Sequence, residues 1–323
     1  RRDVAFLKST CLEYLSTVVF IGLEATSLAS RREPLVPKRR PSIAVAIPSS
    51  LVSDVPHLRE KTARIGLVGR ALAIFRVDEV IIYRDLARPG EGELIRAILA
   101  YMEAPQYLRK RLFGLRPELR YAGILPPLRT PHHPLRARLS QLRDGEFREG
   151  VVVSSGRRGC LVDVGVEEPL LAPGLRAQEG TRMTFVVERR GRSVRLRPVQ
   201  REEVPYYWGY RVSLVDYGLR GLLSRRDFDL VLGTSRLGSP LHEVADELWR
   251  AFERASRVLL VFGSPSEGLY DMALREGFEL DEACDFVLNT IPAQGVATVR
   301  TEEAVLATLA VLNFISEYLG IRR

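Results

Sequence analysis

Three stretches in the C-terminal third carry the residue types best suited to chemistry: Gly233-Thr-Ser-Arg-Leu-Gly-Ser239, Gly263-Ser-Pro-Ser-Glu-Gly-Leu269 and Asn289-Thr-Ile-Pro-Ala-Gln-Gly295. Each follows a short apolar run that reads as a strand. All three therefore fall on one edge of an open α/β sheet, the edge where ligands bind. Glycine lets the backbone approach a ligand closely. It also serves plain turn geometry, so one such loop is weak evidence, whereas three in succession predict a small-molecule pocket. The loops offer backbone groups, hydroxyls and an amide, a set suited to hydrogen bonding with adenine and ribose without a metal. There is no GxxxxGK[ST] and no strand–GxGxxG–helix unit, and the first loop has no lysine, which argues against a nucleotide-phosphate site. No Ser–His–Asp arrangement is present. His242 and Asp246, four residues apart on a helix, read as a surface contact.

These loops need elements to hold them. Ser42 to Ile47 reads as a buried strand stopped by Pro48, and Glu79 to Tyr83 as a second. Helical spacing of apolar residues predicts helices over His57 to Phe75 and Gly90 to Glu103. This alternation implies a parallel sheet with helices on its faces. Between Arg129 and Val204 the texture changes to short β-branched runs separated by glycine turns. Their number and spacing predict a five-stranded barrel of the oligonucleotide-binding (OB) type, with an SH3-like barrel as the alternative. The α/β pattern then resumes. Strands are expected at Arg211 to Val215, Leu230 to Leu232, Val258 to Phe262 and Phe286 to Leu288. Helices are expected at Leu241 to Ala255, Ser266 to Arg275 and Glu302 to Tyr318, the last capped by Thr301. The chain thus divides into 1–40, a first α/β part 41–128, an insertion 129–204 and a second α/β part 205–323.

Residues 1–40 read as a peripheral amphipathic segment followed by a Pro/Arg linker. The run Val18 to Leu28 is interrupted by Glu24, too short and too charged to span a membrane. No signal-peptide cleavage motif follows it. The three cysteines, Cys11, Cys160 and Cys284, are scattered; they form neither a disulfide framework nor a metal spacing, and a reducing, cytoplasmic setting is the default. His132-His133 stands between prolines and reads as a linker feature. The net charge of +8 and pI near 9.6 favour a polyanionic partner, nucleic acid first.

Taken together, Tyr206-Tyr-Trp-Gly-Tyr-Arg-Val212, the three loops, Val299-Arg-Thr-Glu-Glu-Ala304 and, in the first half, Val45-Ala-Ile-Pro-Ser-Ser50, Ile124-Leu-Pro-Pro-Leu128 and Pro131-His-His133 resemble the SPOUT superfamily of knotted RNA methyltransferases. Within it the chain is similar to the archaeal and eukaryotic branch regarded as uridine-N3 methyltransferases of large-subunit ribosomal RNA. The match runs from about Pro41 to the C-terminus. The resemblance implies an α/β fold with a trefoil-knotted parallel sheet, an inserted OB-like β-barrel, a homodimer, and S-adenosylmethionine bent among the three loops. Carried over residue by residue, the cofactor would meet Gly233, Thr234, Arg236, Gly263, Gly268, Asn289, Thr290, Ile291, Pro292, Gln294, Gly295 and Thr298. Methyl transfer to a uridine N3 needs an acceptor for the imide proton or a stabiliser of the anion. Arg236 could stabilise the anion and Glu302 or Glu303 accept the proton, although both glutamates also suit a helix N-terminus. The insertion, with thirteen arginines against eight acids from 136 to 200, would hold the RNA. Arg148, Arg157, Arg158, Arg189, Arg190 and Arg192 are the expected contacts. With only Phe147 and Phe185 as aromatics there, binding would rest on phosphates more than on stacking. The competing reading is a non-catalytic RNA-binding or ribosome-assembly module of the same fold.

Overall fold

The computed structural model describes residues 36–87, 90–191 and 193–321, the side chains of 317–321 excepted. The amphipathic segment expected in 1–40 lies, up to residue 35, outside the described residues, as does Arg192.

Ser42–Pro48 (β1) and Glu79–Tyr83 (β2) form as expected, joined by helix α1 (Leu58–Ile74) and followed by α2 (Gly92–Glu103) and α3 (Gln106–Phe113). After the insertion come β8 (Arg211–Leu214), α4 (Leu219–Leu223), β9 (Leu230–Pro240), α5 (Leu241–Arg254), β10 (Arg257–Val261), α6 (Leu269–Glu276), α7 (Leu280–Ala283), β11 (Phe286–Asn289) and α8 (Thr301–Ile321). The α/β strands pair in parallel in the order β11-β9-β10-β1-β2-β8. Pleating sends alternate residues of β1 to opposite faces. Ile43, Val45 and Ile47 enter one core with Ile65, Leu72, Ile98, Phe252 and Leu309 from helices α1, α2, α5 and α8. Ala44 and Ala46 face a second core with Tyr83, Leu222, Leu269 and Met272. A sheet buried on both faces reads as a continuous apolar run, which is why β1 and β10 were legible. This order puts β9, β10 and β11 side by side, so the three candidate loops leave the same edge.

The insertion holds a separate antiparallel sheet built from β3 (Phe147–Gly156), β4 (Gly159–Asp163), β5 (Leu170–Pro173), β6 (Arg182–Arg190) and β7 (Ser193–Val199), in the order β5-β4-β3-β6-β7. Its core gathers Val152, Cys160, Val162, Phe185, Val187 and Leu196.

A buried polar junction joins this sheet to the α/β part. Glu103, at the end of α2, accepts from Arg182 Nη1 at 2.7 Å and Nη2 at 3.2 Å. Arg182 Nε also donates to Glu149 Oε2 at 2.7 Å, and Trp208 Nε1 and Thr184 Oγ1 donate to Glu149 Oε1. His132 and His133 both place Nε2 2.7 Å from the Glu103 carbonyl oxygen, so each donates its Nε2–H there. The histidine pair is therefore not a linker feature; His132 is fully buried inside the junction. Burial works against ionised Glu103, but Arg182, His132 and Arg201 outweigh it and hold the carboxyl well below the usual range. Burial, then His132, pushes His133 down to about 3.

Arg148 also departs from expectation. It is fully buried, with Nε on Glu146 Oε1 at 2.8 Å and Nη1 on the Arg136 carbonyl at 3.0 Å, and it has no surface to offer RNA. Arg189 is half-buried and donates to the Leu139 carbonyl at 2.8 Å. Arg157, Arg158 and Arg190 are exposed.

Candidate active site

A cleft of about 320 Å³ opens where β9, β10 and β11 end. The first loop differs from the sequence reading. Residues 233–239 are not a loop after a three-residue strand but belong to β9. Gly233 is the partner of Val287, yet the next residue of β11, Leu288, is the partner of Ser239. Residues 234–238 thus have no counterpart in β11 and bow outward. Gly238 closes this bow against β11: an added Cβ would lie 2.5 Å from the Val287 carbonyl oxygen and 3.0 Å from the Leu288 nitrogen. Those are backbone atoms, so the strand itself would have to move. Gly238→Ala is expected to cost about 1–3 kcal/mol through overpacking, whereas Gly295→Ala, with nothing within 4 Å of the added carbon, is expected to be neutral. Thermal unfolding of the two variants checks the contrast; equal melting temperatures would sink it.

Side chains tie the loops together. Thr234 Oγ1 donates to the Val261 carbonyl at 2.9 Å, and Asn289 Nδ2 donates to the Arg236 carbonyl at 2.9 Å while its Oδ1 accepts from Ile291 N–H at 3.1 Å. Arg236 Nη1 and Gln294 Nε2 both reach the Ala297 carbonyl, at 3.2 and 3.3 Å. Thr290 Oγ1 meets Thr308 Oγ1 at 2.7 Å. The second loop is a tight turn. Ser264 N–H donates to the Glu267 carbonyl at 3.0 Å and Glu267 N–H to Ser264 Oγ at 3.0 Å. That turn delays α6 to Leu269, three residues past the expected start. Gly263 is packed beneath it, with an added Cβ 3.0 Å from the Glu267 carbonyl oxygen.

Of the expected contacts, Thr234, Arg236, Gly263, Gly268, Asn289, Thr290, Ile291, Gln294 and Thr298 line the cleft. Gly233, Pro292 and Gly295 do not. Gly233 lies behind the wall, where a Cβ would meet Cys284 Sγ at 3.3 Å; burial pushes that thiol up to about 12. Pro292 and Gly295, in the third loop, are exposed.

The start of α8 also corrects the sequence reading. Thr301 is not the cap; it is the first helical residue, and its hydroxyl donates to the Gly263 carbonyl at 3.2 Å. Arg300 N–H instead donates to Glu303 Oε2 at 2.9 Å, the reach-back contact of a capping box. Glu303 is thus a helix-start residue. Glu302 does not line the cleft: it is buried, its Oε1 3.0 Å from Arg64 Nε, its Oε2 without a hydrogen-bond partner, and burial raises its pKa. That position does not suit a proton acceptor for a ligand in the cleft.

The expected contacts did not include Ser264, Ser266, Glu267, Tyr270, Asp271, Thr301, Ala304 and Thr308, which also line the cleft. Positions 301, 304 and 308 follow i, i+3, i+7 spacing, one face of a helix made of small and hydroxyl residues; that spacing was the available signal.

The comparisons with known proteins agree over most of the described region. A family described as "Putative RNA methyltransferase" matches residues 42–312. An uncharacterized protein of Halobacterium salinarum is 37% identical, over 84% of this chain and 98% of its own length. The proteins named 28S rRNA (uridine-N(3))-methyltransferase of Homo sapiens and Mus musculus are 33% and 34% identical. The human alignment covers 90% of this chain and 82% of the relative, the mouse alignment 84% and 76%.

Proposed function

We propose, because the chain belongs to this RNA methyltransferase family, that it moves the methyl group of S-adenosylmethionine to N3 of a uridine in large-subunit ribosomal RNA. The observation that carries the reading is the convergence of three loops, tied by side chains, on one cleft at the strand ends. Its volume is within the range of small-molecule sites. Its donor set fits the cofactor. Hydroxyls of Ser264, Ser266, Thr298 and Thr301 and loop backbone suit adenine and ribose, Arg236 suits a carboxylate, and Asp271 suits positive charge. Bound there, the cofactor supplies an electrophilic methyl on a sulfonium. Alignment of that methyl with the acceptor is then the protein's main task.

In this reading 41–128 and 205–323 form one knotted domain. The crossings of the third loop support it: Arg236 reaches Ala297, and Thr301 reaches Gly263. The sheet of the insertion is read as an OB-like barrel that holds RNA through Arg157, Arg158 and Arg190. Arg176 stiffens the β3–β4 turn by donating to the Gly156 carbonyl at 2.9 Å. The exposed apolar residues Leu306 and Phe314 on α8 suit a homodimer. Among the described residues, no helix is long and apolar enough to cross a membrane.

Calorimetric titration with S-adenosylmethionine is expected to show saturable binding. Large-subunit RNA from cells lacking the gene is expected to have lost one N3-methyluridine by mass spectrometry. No binding heat at millimolar cofactor, with RNA still bound, would favour the non-catalytic module.

A further inference from the structure

We infer that Glu267 accepts the N3 proton during methyl transfer, held in position by Arg275 and Asp85; the inference rests on the methyl-transfer reading of the cleft. A uracil N3 carries a hydrogen that must leave when N3 gains a methyl. The ionisable residues lining the cleft are Arg236, Glu267, Tyr270 and Asp271. Arg236 is a cation. The Tyr270 hydroxyl donates to Asp281 Oδ1 at 2.8 Å, and burial raises it to about 12, so it stays protonated. Asp271 Oδ2 accepts Gly268 N–H at 3.1 Å and closes the start of α6. Glu302, the acceptor expected earlier, is buried against Arg64.

Glu267 remains, and it is built like an oriented base. Its backbone is fixed by Ser264 on both sides of the turn. Its Oε2 accepts from Arg275 Nε at 3.2 Å and Nη2 at 2.9 Å. Arg275 Nη2 also reaches Asp85 Oδ1 at 3.3 Å. Asp85, buried at the end of β2, is itself fixed by Ser50 Oγ at 2.6 Å and Ala87 N–H at 3.0 Å. A base held by a second group, itself held by a third, is the arrangement that sustains proton transfer. In the step, the N3–H bond breaks with its electron pair left on N3 and the proton passes to the Glu267 carboxylate. N3 then bonds the methyl carbon as the sulfur–carbon bond breaks, its pair remaining on sulfur as a neutral thioether. The carboxylic acid later loses its proton to water.

The test uses the full chain, S-adenosylmethionine and an unmodified large-subunit ribosomal RNA transcript in single turnover from pH 6.5 to 8.5. With the proton passed to a protein group rather than to solvent hydroxide, the wild-type rate is expected to be level. Glu267→Gln is expected to lower it about 10²–10⁴-fold at neutral pH. The residual rate of that variant should climb about tenfold per pH unit as solvent removes the proton, with calorimetric affinity for S-adenosylmethionine unchanged. Arg275→Gln is expected to lower the single-turnover rate, leave the cofactor concentration at half-saturation unchanged and keep the profile level. A readout without turnover uses S-adenosylhomocysteine and RNA fragments spanning the modified position. Wild type should bind uridine more tightly than N3-methyluridine, and Glu267→Ala, which removes the acceptor, should narrow that difference. A wild-type rate that climbs tenfold per pH unit, or a level and undiminished rate in Glu267→Gln, overturns the inference while leaving the methyl-transfer reading intact. A wild-type protein that forms no N3-methyluridine overturns both.

Discussion

Glu103→Ala is expected to destabilise the protein by about 3–5 kcal/mol, because removing one partner of a buried ion network leaves the others charged and uncompensated. Glu103 is 4% exposed and faces Arg182 through two hydrogen bonds, His132 Nε2 at 3.2 Å and Arg201 Nη1 at 3.9 Å. The same junction predicts the acid response. Both Glu103 and His133 have folded pKa values below their unfolded ones, so each contributes stability at high pH and loses it as pH falls. For His133 the loss begins below 6.5 and continues toward about 3, at up to about 1.4 kcal/mol per pH unit. For Glu103 it begins only below the ordinary value of 4.5. Urea midpoints are therefore expected to fall between pH 7 and 5 in wild type, and to fall less in His133→Asn. A midpoint that does not move over that interval would show that His133 protonates as easily in the folded state as in the unfolded one.

The parts of this molecule that could be read from sequence are those whose structure is set locally. The strands β1, β2 and β10 are short apolar runs buried on both faces, and α1 and α5 carry helical periodicity. What failed depended on distant partners. Residues 233–239 look like a loop because glycine and serine frequent turns; only their two ends, Gly233 and Ser239, pair with β11, some fifty residues later. The exchange of roles among Arg300, Thr301 and Glu302 is a one-residue error. On a helix one residue is a rotation of about 100°, enough to move Glu302 from the cleft to Arg64. Arg148 was misjudged because a charge count treats every arginine as surface. Glu146, two residues before it, shares its side of an extended chain, and that was the sign of an internal pair. The histidine pair was misread for a similar reason: its partner, the Glu103 carbonyl, is 29 residues away.

Asn289→Ala is expected to weaken S-adenosylmethionine binding about 10–100-fold, which is about 1.4–2.7 kcal/mol, with a smaller loss of global stability. The amide does two things at once. It fixes the start of the third loop by accepting Ile291 N–H, and it staples that loop to the first by donating to the Arg236 carbonyl. Without it, residues 234–238 rely on Thr234, Arg236 and the close approach of Gly238 as restraints against their neighbours. The loops must then be ordered when the ligand binds, and that entropy is subtracted from affinity. Asn289→Asp separates the two roles, since a carboxylate can still accept from Ile291 but cannot donate to Arg236. A carboxylate oxygen there faces the Arg236 carbonyl and repels it, so both the affinity and the melting temperature of this variant should fall below wild type. Calorimetric titration beside thermal unfolding gives both numbers. If Asn289→Ala binds the cofactor as tightly as wild type, the staple between the loops is dispensable, and the cleft is organised by its backbone and by ties such as those of Thr234, Arg236 and Thr301.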